Sequence, residues 1–222
     1  MQLRTPLKRR PFVRIVACRL DLEANAVDRL AGWLGNEERR RAGRFRLARD
    51  RRRYVVAHAR LRQLLAARLG THPRAIELSY GMYGKPFLAA RTAAGDWRFN
   101  ASHSGELALF AFCRGHEVGI DVEALEPLPD TDALARQFFS RAELQAYASL
   151  APPDRKLGFF TCWTRKEARL KARGASLQVS LDNVAAAPAH EAGVSAWRLH
   201  SFSPLPGYAA AVAVERSGNG ER

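Results

Sequence analysis

Residues 107–123 read LALFAFCRGHEVGIDVE, and this stretch decides the fold. An apolar run from Leu107 to Cys113 and a second from Val118 to Val122 each have the length and composition of a strand, and Gly115 marks a turn between them. Working back toward the N-terminus, Phe12 to Leu20 reads as a strand and Ala26 to Leu34 as a short helix ended by Gly35. From Asn36 to Leu69 there is no proline. Tyr54, His58, Leu61, Leu65 and Leu69 recur at three- and four-residue steps, so one long helix is expected, ended by Gly70 and Pro73. Ile76–Tyr80, Pro86–Ala89 and Trp97–Ala101 are short strand candidates. Working forward from Val122, a loop marked by Pro127 and Pro129 leads to helices over Asp132–Phe138, Arg141–Leu150 and Asp154–Ala172. Ser140 is the expected N-cap of the second helix and Gly174 the stop of the third. Strands at Trp197–Phe202 and Tyr208–Glu215 close the chain, with a frayed end from Ser217. One order of elements, strand then helices then strands, thus occurs twice without a residue-level repeat. The expected fold is α+β, a pseudo-twofold pair of similar α/β subdomains at 1–114 and 115–222.

A chain of 222 residues is long enough to bury a sizeable core. Cys18, Cys113 and Cys162 are odd in number, far apart and without metal-ligand spacing, which argues against a disulfide framework or a zinc site and for a reducing compartment. The longest apolar runs fall far short of the ~20 residues that span a bilayer, so no membrane association is expected. Arg14 and Arg19 interrupt the apolar stretch after Phe12, which a secretory signal would not tolerate; a cytoplasmic location follows. The net charge of +14 calls for an anionic partner: nucleic acid, a phosphorylated cofactor, a membrane surface or an acidic protein. Arginine supplies 31 of the 36 basic residues, and biased codon usage explains such an excess as readily as selection for binding does.

Four segments can carry chemistry. In Gly119–Glu123, Asp121 and Glu123 stand two apart on a strand and share one face. Such a pair either meets water at a strand end or is joined by a hard divalent cation, for which oxygen ligands favour Mg²⁺ over zinc. In Trp163–Lys171, Trp163, Glu167 and Lys171 follow one another at four-residue steps along a helix. They are either a solvated Glu–Lys pair with its neighbour or a third carboxylate for the metal with an ammonium one turn away. Phe99–Gly105 reads as a small polar turn between two apolar strands, with Ser102, His103 and Ser104 placed to meet phosphate or serving only structure. Tyr83–Pro86 reads as a turn presenting Lys85 at its tip. Between Arg39 and Arg68 twelve arginines face one acidic residue, Asp50. Nucleic acid, cofactor phosphates or an acidic protein would each suit that stretch, and no nucleic-acid-binding signature accompanies it.

Together and in this order, the segments resemble the Sfp-type 4′-phosphopantetheinyl transferases, in the subclass whose helix motif reads W-x-x-K-E-A. Gly84-Lys85-Pro86, Phe99 to Ser104, Gly119 to Glu123 and Trp163 to Lys171 stand for the family's GKP, FN-x-SHS, G-[IV]-D-[IV]-E and W-[ST]-x-KE-[AS]-x-x-K motifs. The likeness runs from about Arg44 to Leu177, with Ala101 and Ser176 as small departures. It implies two similar α/β halves with the active site in the cleft between them. It further implies a Mg²⁺-dependent transfer of the 4′-phosphopantetheine arm of coenzyme A to a serine hydroxyl of an acidic apo carrier protein, acyl or peptidyl, releasing 3′,5′-ADP. Asp121, Glu123 and Glu167 would hold the metal; Glu167, Lys171 and Asp121 would be catalytic, Glu167 as base. Arg44, Arg53, Arg62, Lys85, Pro86, Ser102, His103, Asp121, Lys166 and Lys171 would contact coenzyme A. The enzyme would be monomeric and would not bind nucleic acid. The competing reading is a nucleic-acid-binding module that uses the arginine-rich helix.

Overall fold

Both runs that open the sequence argument are strands, and everything else is arranged around them. The computed structural model describes residues 12–82, 84–89, 96–128, 130–175 and 197–216; Tyr83, Pro129, Ser176 and the end from Ser217 lie outside the described residues. In chain order the elements are β1 (Arg14–Arg19), α1 (Ala24–Ala31), α2 (Asn36–Ala42), α3 (Ala48–Leu69), β2 (Leu78–Tyr80), β3 (Pro86–Leu88), β4 (Trp97–Ser104), β5 (Leu107–Arg114), β6 (Val118–Ala124), α4 (Thr131–Phe138), α5 (Arg141–Ala148), α6 (Pro152–Ala172), β7 (Trp197–Phe202) and β8 (Tyr208–Glu215). The mixed helix and sheet architecture is the α+β class expected.

Two antiparallel three-stranded sheets have the orders β1-β5-β4 and β6-β8-β7, and β2 and β3 form a separate hairpin. In each large sheet the last strand lies in the middle, flanked by the first strand of its half and the penultimate one, so the connectivity repeats.

Side-chain alternation then sets the layers. Ala108, Phe110 and Phe112 of β5 pack with Val56, Leu61 and Leu65 of α3. Leu107, Leu109, Ala111 and Cys113, on its other face, pack against Val118, Ile120 and Val122 of β6 and Val212 of β8. Ala211 and Ala213, on the far face of β8, meet Ala168 and Ala172 of α6. The stack is helix, sheet, sheet, helix, and β5 is apolar from Leu107 to Cys113 because both its faces are covered there. Each fully buried Phe or Leu on it contributes ~1.5–3 kcal/mol.

Two expectations about local structure are corrected. The helix from Asn36 to Leu69 is two helices, broken at 43–47: the backbone turns out of α2 at Gly43, and α2 folds back so that Glu38 reaches Arg62 of α3 at 2.6 Å. Arginine is a good helix former, so the break left only a lone glycine as its trace in sequence. The polar segment Phe99–Ser104 is not a turn but the body of β4, fully registered with β5 from Phe99↔Phe112 to Ser104↔Leu107. Only Gly105, at φ +55°, and Glu106 turn the chain. Tertiary pairing overrides the weak strand preference of Asn and Ser.

Candidate functional site

An edge strand of each sheet, β4 and β6, lie side by side, joined by side chains. Asn100 Oδ1 accepts from the Ile120 amide (2.9 Å), Ser102 Oγ donates to Asp121 Oδ1 (2.8 Å), and Ser104 Oγ donates to Glu123 Oε2 (2.8 Å) and accepts from the Ala124 amide (3.1 Å). Residues two apart on a strand share a face, so Asn100, Ser102 and Ser104 engage β6 in step. This role of Asn100 and Ser104 was not expected from sequence, although their period-two spacing carried the signal.

On β6, Ile120 and Val122 enter the core between the sheets, which turns Gly119, Asp121 and Glu123 toward α6. Gly119 is required there: a Cβ would overlap the Ala168 carbonyl and the Ala172 amide of α6. That close approach brings Lys171 Nζ to 2.6 Å from Asp121 Oδ1 and 3.0 Å from Ser102 Oγ. The 21-residue α6 starts with prolines in its first turn and packs its middle on Phe138, Phe139 and Tyr147, so the motif lies on a braced helix.

Asp121 is 1% exposed, and its Oδ2 has no hydrogen-bond partner among the described residues. Burial pushes its carboxyl above the ordinary value of 3.8 against the pull of Lys171 and Ser102. The short contact with Lys171 nonetheless marks Asp121 as that ammonium's ionised partner. Burial first, then repulsion from Asp121 and Glu167, pushes Glu123 up to about 7. Glu167, 6% exposed, is therefore within electrostatic reach of the pair. Among the described residues no three Asp, Glu, His or Cys side chains are drawn together closely enough to hold a metal as they stand. Like charges keep apart, and Asp121 pairs with Lys171. The donor set is nonetheless oxygen-only and includes an orphaned carboxylate oxygen, which suits a hard cation.

The remaining expected residues are spread over the fold. His103 is exposed on β4; partial withdrawal from water lowers its pKa, with repulsion from His58, Lys171 and Arg53 adding to the effect. Arg53, near it on α3, grips Asp21 through two bonds of 2.7 and 2.6 Å. Arg44 is exposed in the α2–α3 link. Arg62, Lys166 and Lys85 make internal contacts. Arg62 is 4% exposed, bound to Glu38 and to the carbonyls of Pro73 and Ile76. Lys166 ties α6 to Glu143 of α5 at 2.7 Å. Lys85 Nζ lies 3.0 Å from Glu117 Oε2, 3.0 Å from the Ala172 carbonyl and 3.4 Å from that of Val118, and Pro86 begins β3 beside it.

Three acids, an ammonium and two hydroxyls thus gather about the seam of two helix-backed sheets, a donor set suited to a polyanion together with a hard cation. Residues 117–213 match the family model described as the 4′-phosphopantetheinyl transferase superfamily, and residues 24–114 match that of the 4′-phosphopantetheinyl transferase N-terminal region. The 4′-phosphopantetheinyl transferase HetI of Nostoc sp. is 36% identical over 88% of this chain and 84% of its own length. A 4′-phosphopantetheinyl transferase of Bacillus subtilis is 30% identical over 73% and 70%, and Sfp of the same species 27% over 83% and 84%. The chain belongs to the 4′-phosphopantetheinyl transferase superfamily, and to an enzyme family of the Sfp type. Among the described residues no helix is long and apolar enough to cross a membrane.

Proposed function

We propose that this chain transfers the 4′-phosphopantetheine arm of coenzyme A to a serine hydroxyl of an apo carrier protein. The observation that carries the reading is the Asp121–Lys171–Ser102 cluster at the β4–β6 seam, with Glu123 and Glu167 beside it. The carrier serine oxygen forms a bond to the β-phosphorus of coenzyme A, and the bond from that phosphorus to the bridging oxygen breaks, releasing 3′,5′-ADP. Glu167 takes the serine proton, and Lys171 offsets the charge that grows on the pyrophosphate. Ser102 and Ser104 orient the two β6 carboxylates. His103, Arg53 and Arg44 meet the nucleotide end. Asp121, Glu123 and Glu167 would hold Mg²⁺, which when bound neutralises pyrophosphate charge.

The division at 1–114 and 115–222, with a twofold relation between the halves, belongs to this proposal, as do a cytoplasmic, monomeric enzyme and an acidic carrier partner. Its support is the repeated connectivity and the net charge of +14. The test is mass spectrometry of apo carrier proteins incubated with the enzyme, coenzyme A and Mg²⁺. Addition of the phosphopantetheine mass to one serine is the expected result, and a panel of acyl and peptidyl carriers left unmodified would defeat the reading. Glu167→Gln should lose at least about a hundredfold in turnover if Glu167 is the base.

A further inference from the structure

The ammonium of Lys85 is placed like a clamp. It comes from the short β2–β3 hairpin of the first sheet's half, and all three of its neighbours belong to the second: Glu117 Oε2 and the Val118 carbonyl at the start of β6, and the Ala172 carbonyl at the end of α6. An ammonium has three donors, and these contacts account for all three. Its side chain is only 17% exposed. Glu117 is held in turn by Arg98 of β4 at 3.1 Å, and its amide donates to Glu215 of β8 at 3.2 Å, so the far end of the clamp is anchored.

The clamp lies beside the close approach of α6 to β6 at Gly119. Ala172, whose carbonyl Lys85 takes, is the residue whose amide crowds Gly119, and it directly follows Lys171. Val118 stands three residues before Asp121 on the other wall. The last four carbonyls of a helix have no partner within it, and a cation there both satisfies one and meets the negative end of the helix dipole. Lys85 therefore joins the two backbones that carry the Lys171–Asp121 contact.

We propose that Lys85 is a positioning residue, fixing the end of α6 against the start of β6 so that Lys171 reaches Asp121. This inference rests on the transferase reading but gives Lys85 a part different from contact with coenzyme A. The two parts separate kinetically. A residue that binds coenzyme A in ground and transition state alike changes KM when lost, whereas one that sets the geometry of the reacting groups changes kcat.

The experiment measures kcat and KM for coenzyme A in Lys85→Met and Lys85→Arg, with Glu117→Gln as a second variant that loosens the clamp from its far end. Positioning predicts that Lys85→Met loses about tenfold or more in kcat with KM for coenzyme A within about twofold of wild type. Lys85→Arg, whose guanidinium still donates to a carbonyl, recovers part of the loss, and Glu117→Gln shows the same kcat signature more weakly. A tenfold rise in KM at unchanged kcat in Lys85→Met, or unchanged values of both, overturns the inference. If Lys85→Met does not fold, the Glu117→Gln and Lys85→Arg pair decides on the same criterion. Wild-type turnover in the same assay judges the transferase reading itself, so only the variant-to-wild-type ratios bear on Lys85.

Discussion

Glu38 and Asp121 are each 1% exposed, and they are opposites. Burial works to raise the pKa of Glu38, yet hydrogen bonds from His58 and the Gly35 amide and the charges of His58 and Arg62 hold it below its ordinary 4.5. Asp121 also has a cation and a hydroxyl, but its second oxygen is bare and burial wins. The first acid is satisfied and joins α2 to α3. The second is under-satisfied on the seam where chemistry is proposed. A buried acid whose bonding is complete is a structural part, and one left incomplete is a site marker.

The largest expected effect breaks the satisfied member. Glu38→Ala leaves the 4%-exposed Arg62 without its counter-ion, which should cost ~3–5 kcal/mol of unfolding free energy. Denaturant titration reads this, and the kcat of the folded fraction should stay close to wild type. Asp121→Asn should act mainly on chemistry: turnover falls ~10²–10³-fold, while the loss of stability is smaller than in Glu38→Ala, because Lys171, 26% exposed, can turn to water when its counter-ion is gone.

The pH dependence follows from the sign of the Glu38 shift. Its folded pKa lies below the unfolded one, so its contribution is complete above about 4.5 and is lost as pH falls through the lowered folded value. Stability curves from pH 7 down should show this loss in wild type and lack it in Glu38→Gln. A smaller effect is expected at the seam: Ser104→Ala removes one donor from Glu123, costing ~0.5–1.5 kcal/mol. It should also lift the Glu123 carboxyl beyond about 7, read by carbon-detected NMR titration. Smallest is Arg40→Ala, whose ion pair with Glu37 joins side chains 70% and 38% exposed; the expected change is under ~0.5 kcal/mol.

The two acids also differed in how legible they were. Asp121 stood out in sequence because an acid in an apolar strand breaks the pattern, and Lys171 because it repeats at helical spacing with Glu167. The strands carrying the second sheet were equally plain, Trp197–Phe202 and Tyr208–Glu215 falling where hydrophobic alternation put them. Glu38 gave no such signal: one more charge in a stretch crowded with arginines looks solvated. Its partners Gly35, His58 and Arg62 become neighbours only after α2 folds back. The seam pairs Ser102–Asp121 and Ser104–Glu123 were hidden for a related reason. They join strands of two different sheets across 19 residues, a contact made by side chains and not by any backbone ladder. The residue types of the site were thus readable, and its wiring was not.

Gly119 makes the separation between β6 and α6 a ruler whose zero is the absence of one methyl group. A larger residue there would leave both core faces apolar and every ligand type intact, yet would wedge the helix away from the strand along its last two turns. Such a lesion acts on alignment alone. It would yield a well-folded protein that had lost its chemistry through distance, without losing a single reactive atom.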